Sequence, residues 1–162
     1  MCQKVRNNEQ NYNSNQESPC KYQEKGVPLQ SKRINMETRK HIAVEKKRCG
    51  THNCAQAVAC AYADLVNIPE QTMQEMTSAF GTGMGNMEGT CGAVVGAGII
   101  LGLKHKDRVL ARRQMKQLME RFQAQNGATQ CRKLKGVDTG IVLRQCNDCV
   151  GDAAEMLESL LD

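Results

Sequence analysis

From about residue 36 onward, the apolar residues of this 162-residue chain recur at helical spacing. Steps of three and four along one face predict amphipathic helices, and no stretch shows the period-two alternation that is typical of strands. The predicted apolar faces are Cys54, Ala57, Val58, Ala61 and Leu65; Met73, Met76 and Phe80; Ala111, Met115, Leu118, Met119 and Phe122; and Leu143, Cys146, Val150, Ala153, Leu157 and Leu160. The pattern predicts an all-α bundle of about five to six helices.

One predicted helix is apolar on all sides. The run CGAVVGAGIILGL, residues 91–103, therefore predicts a buried central helix. Capping residues stand directly before two predicted helices, Asn53 before Cys54 and Thr90 before Cys91. Each pair predicts a cysteine in the first turn of a helix.

The first 35 residues differ in composition from the rest of the chain. They are rich in Asn, Gln and Lys and poor in apolar side chains, a composition that cannot bury enough surface to fold. We expect residues 1–35 to be a disordered N-terminal extension and residues 36–162 to form one helical, cysteine-rich domain.

The net charge of +5 is concentrated near the N-terminus. Residues 1–50 hold eleven Lys and Arg against five Asp and Glu, whereas residues 51–162 hold eleven against twelve. Lys46-Lys47-Arg48 is expected to be a solvated basic face, and Asp152 with Glu155 a solvated acidic one. With no basic stripe interleaved with aromatic residues, we expect no nucleic-acid partner.

Cysteine content bears on compartment and chemistry. Residues 1–20 lack the apolar region of an export signal, and no apolar run is long enough to span a bilayer. We therefore expect a cytoplasmic protein without membrane insertion. Nine cysteines in a reducing compartment indicate redox chemistry or metal binding more than structural disulfides.

Helix entrances are places where thiols ionise readily. Free N–H groups and the helix dipole favour a thiolate, so we expect lowered pKa values at Cys54 and Cys91. Gly92 and Gly96 share one face of the central helix. That face would admit either a neighbouring helix or a second sulfur close to Cys91.

The remaining thiols offer a weaker zinc alternative. His52 lies between Cys49 and Cys54, and these three with Cys131 or Cys149 could ligate zinc, although the paired short spacings of zinc fingers are missing. Cys60 lies off the apolar face and is expected to be an incidental, half-buried thiol.

Four segments together resemble a known family. They are NCAQAV at 53–58, FGTGMGNMEGTCGAVVGAGIILGL at 80–103, Cys131, and CNDCVGDAAEML at 146–157. They are similar to the redox-active protein family named for its C_GCAxxG_C_C cysteine pattern, whose CGAxxG motif is matched by residues 91–96. The resemblance covers roughly residues 37–162.

The resemblance implies a small, mostly helical redox domain with four characteristic cysteines and no assigned substrate. Carried over, these are Cys54, Cys91, Cys131 and Cys146. The fourth is Cys146 because Val150, Asp152, Ala153 and Ala154 follow it in the family's pattern, which leaves Cys149 as an additional thiol.

Three functional hypotheses follow. The first is a thiol redox protein, acting by thiol–disulfide exchange or electron transfer, with Cys54 and Cys91 as the reactive pair. Cys131 and Cys146 would resolve or relay, with support from Asn53, Thr90, Gly92, Gly96 and Cys149. The second is a metal or iron–sulfur site on the same four cysteines, and the third a non-catalytic helical interaction module. An oxidoreductase activity, an unknown redox partner and a homodimer stay open.

Overall fold

Seven α-helices follow one another in residues 38–161, the part of the chain that the computed structural model describes. They are α1 (Lys40–Arg48), α2 (Cys54–Ala61), α3 (Glu70–Thr77), α4 (Gly92–His105), α5 (Arg108–Asn126), α6 (Cys131–Leu134) and α7 (Cys146–Leu161). Short 3-10 helices, Ala63–Val66 and Ser78–Phe80, flank α3, and these residues include no β-strand. The all-α prediction is confirmed, whereas the prediction for residues 1–35 lies outside the described residues.

The core forms around α2 and α4. Seven of the eight residues of α2 are buried, and α4 packs against α2, α5 and α7. Gly96 allows α2 and α4 to approach each other closely, because a Cβ at this position would lie 2.5 Å from the Ala55 carbonyl oxygen. The prediction of a buried central helix is confirmed by α4.

None of the helices in residues 38–161 has the length and apolar character needed to cross a bilayer.

Side-chain and backbone caps set the helix ends. The Asn53 side chain accepts hydrogen bonds from the amides of Ala55 and Gln56, both at 2.9 Å, and Gln56 completes the capping box. At the end of α5, Gly127 adopts a left-handed conformation with φ of 81°. The predicted cap at Asn53 is therefore present in the structure.

The predicted cap at Thr90 is wrong by one residue. Helix α4 begins at Gly92, with Cys91 in the N-cap position, and Thr90 instead forms an isolated antiparallel bridge with Gln130. The Cys91 amide donates to the Thr129 carbonyl at 2.7 Å. This pairing holds the backbone extended at Thr90, so the first helical turn starts later than the capping pattern predicts.

The last helix also begins later than predicted. Its first residue is Cys146, whereas Leu143 is half exposed and donates its amide to the Leu134 carbonyl at 3.0 Å. Asp152 is not on a solvated face either. It is buried within α7, and its two oxygens accept from Arg144 Nε at 2.9 Å and from Nη2 at 3.0 Å.

Candidate functional site

Five cysteine side chains line one small cavity, of about 70 Å³, at the N-terminal ends of four helices. Cys54, Cys131 and Cys146 are the first residues of α2, α6 and α7, and Cys91 directly precedes α4. Cys149 lies one turn further along α7. All four cysteines that the sequence singles out, and the additional one, therefore meet in space.

The glycine-rich loop before α4 holds the start of α6. The amides of Cys131 and Arg132 donate to the carbonyls of Gly89 and Met87, at 3.0 and 2.8 Å. Gly83 has a φ of +57°, and a Cβ on it would lie 2.7 Å from the Cβ of Cys131. The concentration of glycine in this loop thus has a packing reason, because the loop backbone lies directly against a cysteine of the site.

Gly92 makes room for a second sulfur. A Cβ at this position would lie 2.5 Å from Cys54 Sγ and 2.5 Å from the Phe80 carbonyl oxygen. The sequence left two interpretations of the face shared by Gly92 and Gly96. The sulfur of Cys54 lies at Gly92 and a neighbouring helix lies at Gly96, so each interpretation describes one of the two positions.

Cys54 and Cys146 line the same cavity. Hydrogen bonding by the Cys146 side chain to a thiolate on Cys54 is the main reason that the pKa of Cys54 falls from 9.0 to about 6, with the Thr82 backbone N–H and the Lys47 ammonium as further causes. Burial opposes the change but is outweighed. The pKa of Cys146 is raised, first because its proton is engaged by Cys54 and then by burial. The lowered pKa of Cys54 has the direction that its place at a helix entrance predicts, but the neighbouring Cys146 is a larger cause than the backbone of the helix.

Cys91 behaves in the opposite way to the prediction. Its pKa is raised, first by the hydrogen bond to Cys149 and then by burial, while the Ala93 backbone amide at the helix start opposes this only weakly. The pairing of Cys54 with Cys91 stays a prediction. The neighbour that most affects the pKa is a cysteine of α7 in both cases, Cys146 for Cys54 and Cys149 for Cys91.

The five thiols differ in access to solvent. Cys146 is half-buried, whereas the other four are each 5% exposed or less. Burial also raises the pKa of Cys131, and Lys135 partly offsets this. Cys146 is therefore the most exposed of the five cysteine residues.

Three basic side chains line the cavity, and no carboxylate of the described residues does. They are Lys47, Lys135 and Arg144. The sequence pattern singles out none of the three as a site residue, and it places Lys47 on a solvated face. Position along the chain could have identified two of them as site residues, because Lys47 lies shortly before the capped start of α2 and Arg144 lies shortly before α7.

The five cysteines share a cavity, but no three of their sulfurs make a tight metal-ligating group among the described residues. Within residues 38–161, no three of them lie within 4.8 Å of one another, whereas one ligand atom each of His52, Cys60 and Glu70 does. A single zinc ion with four thiolates needs sulfurs about 3.8 Å apart. The group of His52, Cys60 and Glu70 differs from the predicted zinc set, which joined His52 to Cys49 and Cys54. The prediction that Cys60 is half-buried is also wrong, because Cys60 is buried.

Comparison with known proteins gives a family. No curated protein and no solved structure matches the chain. A family model described as "putative redox-active protein (C_GCAxxG_C_C)" matches residues 52–160, a range that contains all five cysteines of the site. The match covers well over half of the chain and agrees with the resemblance that the cysteine motifs carry. The chain therefore belongs to the C_GCAxxG_C_C family.

Proposed function

We propose that this protein is a thiol–disulfide exchange protein whose reactive pair is Cys54 and Cys146. The observation that carries the proposal is that these two cysteines, the first residues of α2 and α7, line one cavity of about 70 Å³. Within it, Cys146 is the main cause of the lowered pKa of Cys54, and a disulfide needs the two side chains to approach each other inside the cavity that they share. The pair also combines an accessible sulfur with a stabilised thiolate, which are the two properties that exchange requires.

In the oxidised protein, a thiolate of a partner dithiol attacks Cys146, the accessible sulfur. A bond forms between the partner and Cys146, the Cys54–Cys146 bond breaks, and Cys54 leaves as a thiolate. The partner's second thiolate then attacks its own sulfur in the mixed disulfide, and Cys146 leaves and takes up a proton. Two electrons pass from the partner to the protein, and the partner becomes a disulfide. In the reverse direction, the reduced Cys54–Cys146 pair reduces a disulfide of the partner and itself becomes a disulfide.

Surrounding groups favour Cys54 as the leaving thiolate. Its low pKa makes it the better leaving group of the two, because a more acidic thiol leaves faster. The Thr82 amide and Lys47 stabilise the charge that appears on it. The cavity of about 70 Å³ has space for only a few water molecules, so the reacting part of the partner is expected to be small or extended.

Cys91 and Cys149 are the second candidate pair, because both line the same cavity and Cys149 is the main cause of the raised pKa of Cys91. Both are almost fully buried, so they cannot meet a partner directly. In this proposal they exchange with the first pair inside the cavity and store two further electrons. Cys131 borders both pairs and completes the set.

Stepwise oxidation tests the proposal. The reduced full-length chain is equilibrated with increasing ratios of oxidised to reduced glutathione, alkylated, and mapped by peptide mass spectrometry. The first disulfide to form should be Cys54–Cys146, and Cys54→Ser or Cys146→Ser should abolish it. Cys149→Ser is the matched comparison, because it should remove only the second disulfide. A first disulfide between Cys54 and Cys91, or five unreactive thiols, would refute the assignment.

A metal cluster on the same cysteines is the competing function, because five sulfurs line one cavity. Anaerobic purification followed by elemental analysis and a visible spectrum separates the two. Near-stoichiometric iron with sulfur-to-iron absorption bands, lost in Cys131→Ser, would replace the exchange proposal by an iron–sulfur site on Cys54, Cys91, Cys131 and Cys146. Metal-free protein that reversibly loses two thiols supports exchange.

A further inference from the structure

Three side chains of metal-ligating type meet outside the cysteine cavity. His52 lies in the loop before α2, Cys60 near the end of α2, and Glu70 at the first position of α3. One ligand atom from each lies within 4.8 Å of the other two. None of the three lines the five-cysteine cavity, so the group is a separate feature of the fold.

The histidine carries a second, independent observation. Its side chain is 9% exposed, and Nε2 is buried without a hydrogen bond although Glu70 Oε1 lies 3.5 Å away. On the other side of the ring, Nδ1 lies 2.8 Å from the Thr51 hydroxyl. A proton on Nδ1 then leaves the Nε2 lone pair facing a carboxylate, an arrangement that a cation between them would make favourable. Metal-bound histidines are commonly oriented through the second ring nitrogen in this way.

The donor set narrows the cation. Cys60 contributes a buried sulfur, 3.8 Å from the Glu70 carbonyl oxygen, and the other two contribute an imidazole nitrogen and a carboxylate. Mixed nitrogen, sulfur and oxygen ligands suit Zn²⁺, whereas Ca²⁺ and Mg²⁺ prefer oxygen alone. Three protein ligands leave one tetrahedral position for water or another small ligand.

We propose that His52, Cys60 and Glu70 form a three-ligand zinc site. In this structure the Glu70 carboxylate is paired with the ammonium of Lys46. His52 Nε2 faces the same carboxylate oxygen, Oε1, as this ammonium, so Lys46 and a zinc ion would compete for it. Substitution of a ligand should therefore lower the zinc affinity, whereas substitution of Lys46 should raise it. A cluster with a purely structural role would not show these opposite effects.

Histidine NMR on the reduced full-length chain, during anaerobic zinc titration, tests the site. The chain has three histidines, so the imidazole nitrogens are assigned with His52→Gln. Zinc should shift Nε2 of His52 and saturate at one ion per chain. Cys60→Ser and Glu70→Gln should each weaken this binding about tenfold or more, whereas Lys46→Met should tighten it several-fold.

Controls separate this proposal from the exchange function. Zinc held by the cysteine cavity would leave the His52 nitrogens unchanged, and loss of disulfide exchange would leave the zinc shift unchanged. Glu70 has a half-exposed side chain, so Glu70→Gln keeps the test valid if Cys60→Ser fails to fold. An unshifted His52 at saturating zinc, or weaker binding in Lys46→Met, would overturn the site.

Discussion

Replacing Cys146 should deprive Cys54 of most of its acidity. The Cys146 thiol is the largest cause of the fall in the pKa of Cys54 from 9.0 to about 6. A hydrogen bond to a charged group contributes about 1.5–3 kcal/mol, and 1.36 kcal/mol corresponds to one pH unit. Cys146→Ala should therefore raise the pKa of Cys54 by about one to two pH units. The thiolate fraction at pH 7 should fall from about nine-tenths to between about a half and a tenth.

Cys146→Ser is the matched control, because a hydroxyl still donates to the thiolate. The assay is a pH titration of reduced protein carrying ¹³Cβ-labelled cysteine, followed by NMR. The midpoint for Cys54 should increase in the order wild type, serine variant, alanine variant. Below the wild-type midpoint Cys54 is a thiol in all three, so the variants differ only above about pH 6. Equal midpoints in the serine and alanine variants would refute the hydrogen bond as the cause.

Four further substitutions test other parts of the structure. Lys47→Met should also raise the pKa of Cys54, by less than Cys146→Ala, in the same titration. Gly92→Ala should lower the free energy of unfolding by about 1–3 kcal/mol, because its Cβ would meet the Cys54 sulfur. Gly102→Ala in the same helix is the control, because a Cβ there has open space and should raise the free energy of unfolding by up to about 1 kcal/mol. Urea denaturation measures both. Asp152→Ala should cost about 2 kcal/mol by urea denaturation, less than a fully buried pair, because its arginine partner is 37% exposed.

Local features of the fold follow from the sequence. The apolar periodicity, the Asn53 cap and the glycine after α5 act within one or two helical turns, so their effects can be predicted without knowing the tertiary arrangement. Thr90 is a position at which the local sequence pattern does not predict the structure. The local pattern favours a cap there, but a hydrogen bond from the next residue to Thr129, far along the chain, holds the backbone extended.

The cysteine pairing depends on tertiary contacts. Sequence indicates that Cys54 and Cys91 lie at helix entrances, but it does not indicate which entrances meet or that two cysteines of α7 line the same cavity. The raised pKa of Cys91 likewise reflects burial and a neighbouring thiol, which outweigh the local helix effect. For the same reason, three consecutive basic residues do not reveal that Lys47 lines the cavity.

The stabilised thiolate of Cys54 also bears on the reduction potential of the pair. Only the reduced protein carries this thiolate, so each contact that lowers its pKa stabilises the reduced form over the disulfide. At pH 7, a pKa of about 6 in place of 9.0 stabilises the reduced form by about 1.4 kcal/mol, which makes the two-electron potential about 30 mV more oxidising. This increment vanishes below about pH 6 and grows as the pH rises towards 9. In alkaline conditions the Cys54–Cys146 disulfide would therefore be a stronger acceptor than an ordinary cysteine pair in the same fold.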